Sequence, residues 1–239
     1  MKFNDLTKLL EQDESIFQPR KIEDRQDRYD KMCQQQIQDH IKNGSRGDLY
    51  LSGSTIAALP QGLKHVGGDL YLDGTLIKEL PDGLYVGGDL YLNSTPIKEL
   101  PDGLYVGGNL HLNRTPIKSL PDGLRVGGYL DLSFTPIQTL PDGLEVSRNL
   151  YLSYTPIQTL PDGLKVSGDL WLYDTQIKTL PDGLRVGRNL DLSHTPIQTL
   201  PDGLKVSGDL WLLKTPIAKQ YNQQQLKQMY PGVKGEIFT

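Results

Sequence analysis

Every 20 residues this chain says almost the same thing again. From Leu70 to Ile217 the motif Leu-x-Leu-x-x-Thr-x-Ile returns without insertion or deletion, and an earlier unit beginning at Leu49 is one residue longer between Gly62 and Val66. Nine copies of the Leu-x-Leu core result, from Leu49/Leu51 to Leu210/Leu212. A fixed period of this length signals a solenoid. Within one unit Leu80, Leu84 and Val86 join Leu90, Leu92 and Ile97, so six apolar side chains need an interior. Burying each is worth about 2 kcal/mol, but a lone coil has nothing to bury them against. The coils must therefore stack.

Leu90-Tyr91-Leu92 alternates apolar and polar residues with period two, the pattern of a short half-buried strand. Copies stacked in register predict a parallel sheet that advances about 4.8 Å per coil. On the other side of the coil, Leu-Pro-Asp-Gly-Leu is turn chemistry, since Pro presets φ, Asp bonds nearby backbone and Gly accepts conformations closed to other residues. Pro96, Pro116, Pro136, Pro156, Pro196 and Pro216 lack an N–H and suit an extended segment leaving the strand. The threonines from Thr75 to Thr215 recur three residues after the second Leu, where an inward hydroxyl satisfies backbone groups of the bend. No unit has room for a helix.

The two ends lack the repeat. Asn4 can cap a short helix containing Leu6, Leu9 and Leu10, and after Pro19 an amphipathic helix is predicted through Ile22, Tyr29, Cys33, Ile37 and Ile41 to a stop at Asn43-Gly44. Its apolar stripe is expected to cover the open edge of the first coil, because a naked solenoid end aggregates. Tyr221 to Tyr230 reads as a second capping helix, ended by Pro231-Gly232 and followed by an extended tail through Val233, Ile237 and Phe238. The expected organisation is thus a helical N-terminal cap over 1–47, the solenoid over 48–217 and a C-terminal cap over 218–239.

Composition narrows the function classes. A formal charge of −4 gives no overall electrostatic footprint for nucleic acid or an anionic membrane. With Cys33 as the one cysteine no intramolecular disulfide can form, which fits a reducing compartment. The N-terminal stretch, carrying Lys2, Asp5 and Lys8, does not read as a signal peptide, and no apolar run approaches the length of a membrane span. A cytoplasmic protein, or one delivered into a host cell without a cleavable signal peptide, is expected.

The unit Leu-x-Leu-x-x-Thr-x-Ile resembles the leucine-rich repeat core, and the 20-residue length with Leu-Pro turns is similar to the short repeats of secreted bacterial effectors of Yersinia, Shigella and Salmonella. The resemblance covers residues 48 to 217. It implies a repeat solenoid: a leucine-rich repeat arc with its parallel β-sheet on the concave face, extended and turn segments on the convex face, and a helical N-terminal cap. Thr stands where the family has Asn, and Val86-Gly87-Gly88-Asp89 spaces the incoming apolar residue differently. Some effectors of the family carry a ubiquitin-ligase domain after the repeats. With about 20 residues after Ile217, that activity is not carried over.

Function is sought where the letters change. Between the strand leucines stand Tyr50, Tyr71, Tyr91, His111, Asp131, Tyr151, Trp171, Asp191 and Trp211. Two residues past the second Leu come Gly53, Gly74, Ser94, Arg114, Phe134, Tyr154, Asp174, His194 and Lys214, and Tyr129 and Tyr173 add to the same wall. Tyr and Trp contribute large rigid area with a polar tip, the material of interface centres. They also favour strands and stack across them for stability, the blander reading for the three successive tyrosines. The expected partner-binding residues are Tyr91, His111, Arg114, Tyr129, Asp131, Phe134, Tyr151, Tyr154, Trp171, Tyr173, Asp174, Asp191, His194 and Trp211. Asp residues outnumber Arg114 and Lys214 there, which favours a protein partner with a basic or neutral surface over nucleic acid. The column just before the strand is Asp or Asn in eight of nine units, a regularity assigned to local bonding.

Seven aspartates from Asp82 to Asp202 stack in the Pro-Asp-Gly column, where turn hydrogen bonds and nearby Arg125, Lys165, Arg185 and Lys205 are expected to offset their repulsion. No catalytic, metal or cofactor site is expected: His111 and His194 lie four repeats apart, roughly 20 Å, and the neighbours Asp174, Ser193 and His194 lack an oxyanion site. The expectation is a non-enzymatic protein-binding module of bacterial or phage effector or inhibitor type, monomeric or weakly paired through its edges. A glycan-binding or adhesion module and a structural spacer are the alternatives.

Overall fold

The computed structural model describes residues 22–239. The short helix expected around Leu6, Leu9 and Leu10 lies outside the described residues. Helix α1 (Ile22–Lys42) comes first. It ends as its sequence predicts, with Gly44 at φ +77° and the Ser45 N–H donating back to the His40 carbonyl at 2.8 Å. Its apolar stripe enters the core of the first coil: Cys33 is fully buried and Ile37 nearly so, with Tyr29 and Ile41 packed at the margin. Polar contacts seat it, since Tyr29 donates to the Ser52 carbonyl at 2.9 Å and Asp30 accepts from both the N–H and the hydroxyl of Thr55.

The strands are two residues long and every pairing is parallel. A ten-stranded sheet takes one strand from each coil in chain order, from Leu49–Tyr50 to Leu210–Trp211, and closes with Ile237–Phe238 from the tail. The register is strict: Leu90 opposes Leu110 and Tyr91 opposes His111, one coil to the next. Every strand leucine from Leu70 to Leu212 is fully buried, so each coil's apolar set meets the set above and below it. Each threonine from Thr75 to Thr215 is buried and donates to the carbonyl three residues back at 2.6–2.8 Å.

The convex-side segments do more than extend. Tyr85–Val86 and its counterparts, from His65–Val66 to Lys205–Val206, pair into a second, eight-stranded parallel sheet. In each strand the valine is buried and the preceding residue is exposed. The same exposed-then-buried pair recurs at this place in every coil, and stacking of the coils in register brings these pairs together as it does those of the long sheet.

The C-terminal cap begins earlier than the sequence predicts. The last coil turns helical at α2 (Pro216–Gln220), with Thr215 as N-cap. A second helix, α3 (Gln223–Met229), starts at the Asn222/Gln225 capping box and buries Leu226. Among the described residues no helix is long and apolar enough to cross a membrane.

Candidate functional site

The outward face of the long sheet carries two parallel files of side chains. The first runs down the strands. Tyr50, Tyr71 and Tyr91 stack face to face at 4.7 and 4.6 Å, and Tyr91 stacks on His111 at 4.2 Å. Where Asp131 interrupts the file, Tyr129 bridges the gap edge-on, 4.9 Å from His111 and 5.6 Å from Tyr151. Tyr151, Trp171, Trp211 and Phe238 then continue in stacked order at 6.4, 6.0 and 5.6 Å, with Trp171 and Trp211 meeting across the coil that carries Asp191. The rings from Tyr71 to Trp211 are half-buried, while Tyr50 and Phe238 at the two ends of the file are exposed. Phe238 was not among the expected site residues; the Leu-x alternation repeated in Ile237-Phe238 is the signal that points to it.

Hydrogen bonds hold this file from below. Asp69 Oδ1 accepts the backbone N–H of Asp89 in the next coil at 2.7 Å, while Oδ2 accepts the Tyr71 hydroxyl at 3.0 Å. Asp48 and Asp89 do the same for the next coil's backbone and for Tyr50 and Tyr91. The ladder resumes at Asn149 and runs through Asp169 and Asn189 to Asp209, which accepts from the Glu236 N–H. It lapses where Tyr129 replaces the Asp or Asn and is free to bridge. The carboxylate of Asp69 holds the Tyr71 phenol up to about 12. Burial, then Asp89, moves Tyr91 in the same direction.

Asp131 and Asp191 do not reach outward. Each accepts the N–H two residues on, from Ser133 at 2.9 Å and Ser193 at 2.8 Å, and Asp191 is buried. A short carboxylate next to a bend bonds its own backbone in preference to solvent. Much of the negative charge expected on this face is therefore already engaged with N–H donors.

The second file sits on the bend after each strand and is the more exposed. Arg114 lies over the Phe134 ring at 5.4 Å, Phe134 stacks on Tyr154 at 4.5 Å, and Tyr173 links Tyr154 to His194 at 5.3 and 4.7 Å. Its bend residues share one backbone feature. Ser94, Arg114, Phe134, Tyr154, Asp174, His194 and Lys214 all adopt φ between 54° and 61°, the left-handed region. Gly53 and Gly74 hold the equivalent places in the first two coils. For Arg, Phe, Tyr or Lys this conformation is an outlier that costs about 1–2 kcal/mol.

His111 is the titratable centre of the first file, with the Tyr129 hydroxyl 2.9 Å from Nε2. Burial pushes its pKa below 6.5, and Asp89, Asp131 and Asp73 oppose that shift without reversing it. Folded His111 thus binds a proton less readily than unfolded, so its stabilising contribution is present above pH 6.5 and lost as pH falls through the lower folded value. His40 is shifted the same way by burial. Thermal melts from about pH 7 to about pH 5 should show stability falling, and His111→Gln should flatten part of that slope; identical slopes would contradict the assignment.

Among the described residues no hydrogen bond joins Ser193, His194 and Asp174 through their side chains. The Trp171 indole N–H is buried without a partner among the described residues.

No family model matches the chain, and no curated protein matches it in sequence. Among solved structures, the leucine-rich repeat domain of a Shigella effector is similar over 100% of this chain and 98% of its own, at TM-score 0.56 and 15% identity. YopM from Yersinia enterocolitica is matched over 77% of this chain and 72% of its own, at TM-score 0.27 and 16% identity. The Shigella domain covers both chains almost end to end, and at that identity it speaks for architecture alone. In architecture, the chain is a leucine-rich repeat solenoid similar to the leucine-rich repeat domain of the Shigella effector.

Proposed function

We propose that this chain is a non-enzymatic protein-binding module, of bacterial or phage effector or inhibitor type, whose partner docks along the long-sheet face from Tyr91 to Trp211. The observation that carries the reading is the left-handed file. Glycine is the relaxed choice at those bends, as in Gly53 and Gly74, yet later coils present Arg114, Phe134, Tyr154 and Lys214 there. Strain retained at consecutive exposed positions points to use of the side chains. A structural spacer has no reason to keep them.

The glycan alternative is less well supported, because sugars stack on open ring faces and the faces of Tyr50, Tyr71, Tyr91 and His111 are occupied by one another at 4.2–4.7 Å. Tyr50 and Tyr71, with hydroxyls already bonded to Asp48 and Asp69, act chiefly as scaffold. The contact centres on the coils from Arg114 to Lys214, including Tyr129, Tyr151, Tyr173, Asp174 and His194, and takes a basic or neutral surface. Among the described residues, α1 caps one end of the solenoid and the segment from α2 onward caps the other. The module works in the cytoplasm or inside a host cell.

The test is affinity capture from a lysate with wild type and with a folded Tyr151→Ala/Trp171→Ala/Trp211→Ala variant, read by mass spectrometry. A protein retained by wild type and lost by the variant is expected. Identical sets from both would remove this face from consideration.

A further inference from the structure

The short sheet has an outward column of its own, and its character changes along the chain. In the early coils it is aromatic, with Tyr85 and Tyr105 stacked at 4.9 Å. From Arg125 onward it turns basic: Lys165, Arg185 and Lys205 occupy three adjacent strands, each exposed, and Glu145 is the one acid in that stretch of the column. Beside it a depression of about 310 Å³ is lined by Lys165, Arg185, Lys205, Ser167 and Ser207. Ser167 also borders an adjoining depression of about 350 Å³ that Arg148 and Arg188 flank.

Turn hydrogen bonds and these cations were expected to offset the repulsion within the Pro-Asp-Gly column; no direct ion pair joins the two rows, since among the described residues the one ion pair within 4 Å is Lys227 with Glu236, at the C-terminal cap. The aspartates and the cations run instead as separate rows three residues apart in sequence. Unpaired like charges stacked about 4.8 Å apart repel one another, and a ligand of opposite sign would relieve that repulsion.

We propose that this strip, centred on Lys165, Arg185 and Lys205, is a second interaction surface that takes an acidic segment of a partner protein. Width decides the kind of anion. Asp162, Asp182 and Asp202 are exposed along one flank, so a duplex or a bilayer laid on the strip would meet carboxylates as well as cations. An extended peptide is narrow enough to follow the cations alone. From Lys165 to Lys205 the column crosses three strands, about 10 Å, the reach of about three extended residues. Hydroxyls of Ser167 and Ser207 lie beside the cations as further donors. The surface belongs to the other sheet and stands or falls independently of the binding face proposed above; together the two would let one rod hold two proteins.

The test uses the full chain and a fluorescent oligoglutamate peptide of about eight residues, followed by anisotropy at low and high salt. Oligoglutamine, a single-stranded oligonucleotide and phosphatidylserine vesicles run alongside. Wild type should bind oligoglutamate in a salt-sensitive manner and more tightly than the other probes. Lys165→Gln/Arg185→Gln/Lys205→Gln should weaken it at least about tenfold, while Lys64→Gln/Lys78→Gln/Lys118→Gln, which changes net charge equally at exposed positions elsewhere, should leave it nearly unchanged. Circular dichroism confirms that both variants fold. Three results would overturn the proposal: no binding by wild type at low salt, equal loss in both variants, or tighter binding of the oligonucleotide or the vesicles.

Discussion

Leu152→Ala should lower the free energy of unfolding by about 2–5 kcal/mol, a large part of what a domain of this kind possesses. Leu152 is fully buried in the middle of the rod. Its backbone N–H bonds the Trp171 carbonyl of the next coil at 2.8 Å, and the Leu132 N–H bonds the Tyr151 carbonyl beside it. In a solenoid each coil touches only its neighbours, so stability is close to a sum of coil terms and interface terms. A cavity at Leu152 weakens the interfaces on both sides, whereas the same truncation in an end coil weakens one. Urea unfolding followed by circular dichroism measures it. A loss below about 0.5 kcal/mol, the size of an ordinary surface substitution, would mean that the leucine ladder does not hold the coils together.

The leucine ladder, the parallel register and the buried threonines were all legible in the sequence, because each coil poses the same packing problem and repeats the same letters. The Asp and Asn column was readable as structural but not in its geometry: the side-chain oxygen reaches the backbone of the next coil, and 20 residues of separation hide that partner. Tyr129 was readable as part of the wall but not as a bridge. The clue lies in its breaking of the Asp and Asn column one coil before Asn149.

Other features left no mark. A φ angle is not written in a letter unless the letter is glycine, so the left-handed file showed only as Gly53 and Gly74 among side chains of every type. Asp131 and Asp191 occupy outward positions by alternation, yet in the fold their carboxylates turn back to Ser133 and Ser193. The basic column of the short sheet was visible as letters and read only as an offset to the aspartates, although no direct ion pair joins the two rows among the described residues.

The second large effect concerns binding. Replacing Arg114, Phe134, Tyr154 and Lys214 together with glycine removes four large exposed side chains of the second file while relieving their backbone strain. Each left-handed non-glycine residue costs about 1–2 kcal/mol. Against that stand the Phe134–Tyr154 stack at 4.5 Å and the Arg114 contact at 5.4 Å, worth about 0.5–1.5 kcal/mol each, and the greater chain entropy of glycine, about 0.5–1 kcal/mol per residue. The terms nearly cancel, so folding stability should change by no more than about 1–2 kcal/mol. Binding has no such cancellation: interface anchors of this type cost about 2 kcal/mol or more each when truncated, and losing several weakens a complex at least about 100-fold.

The most direct measurement is therefore made on one glycine-substituted protein with two readouts, its unfolding midpoint and its affinity for whatever partner the wild-type chain captures. Near-wild-type stability with binding lost is the predicted result. Wild-type affinity in a folded variant would contradict the claim that these coils present a recognition surface.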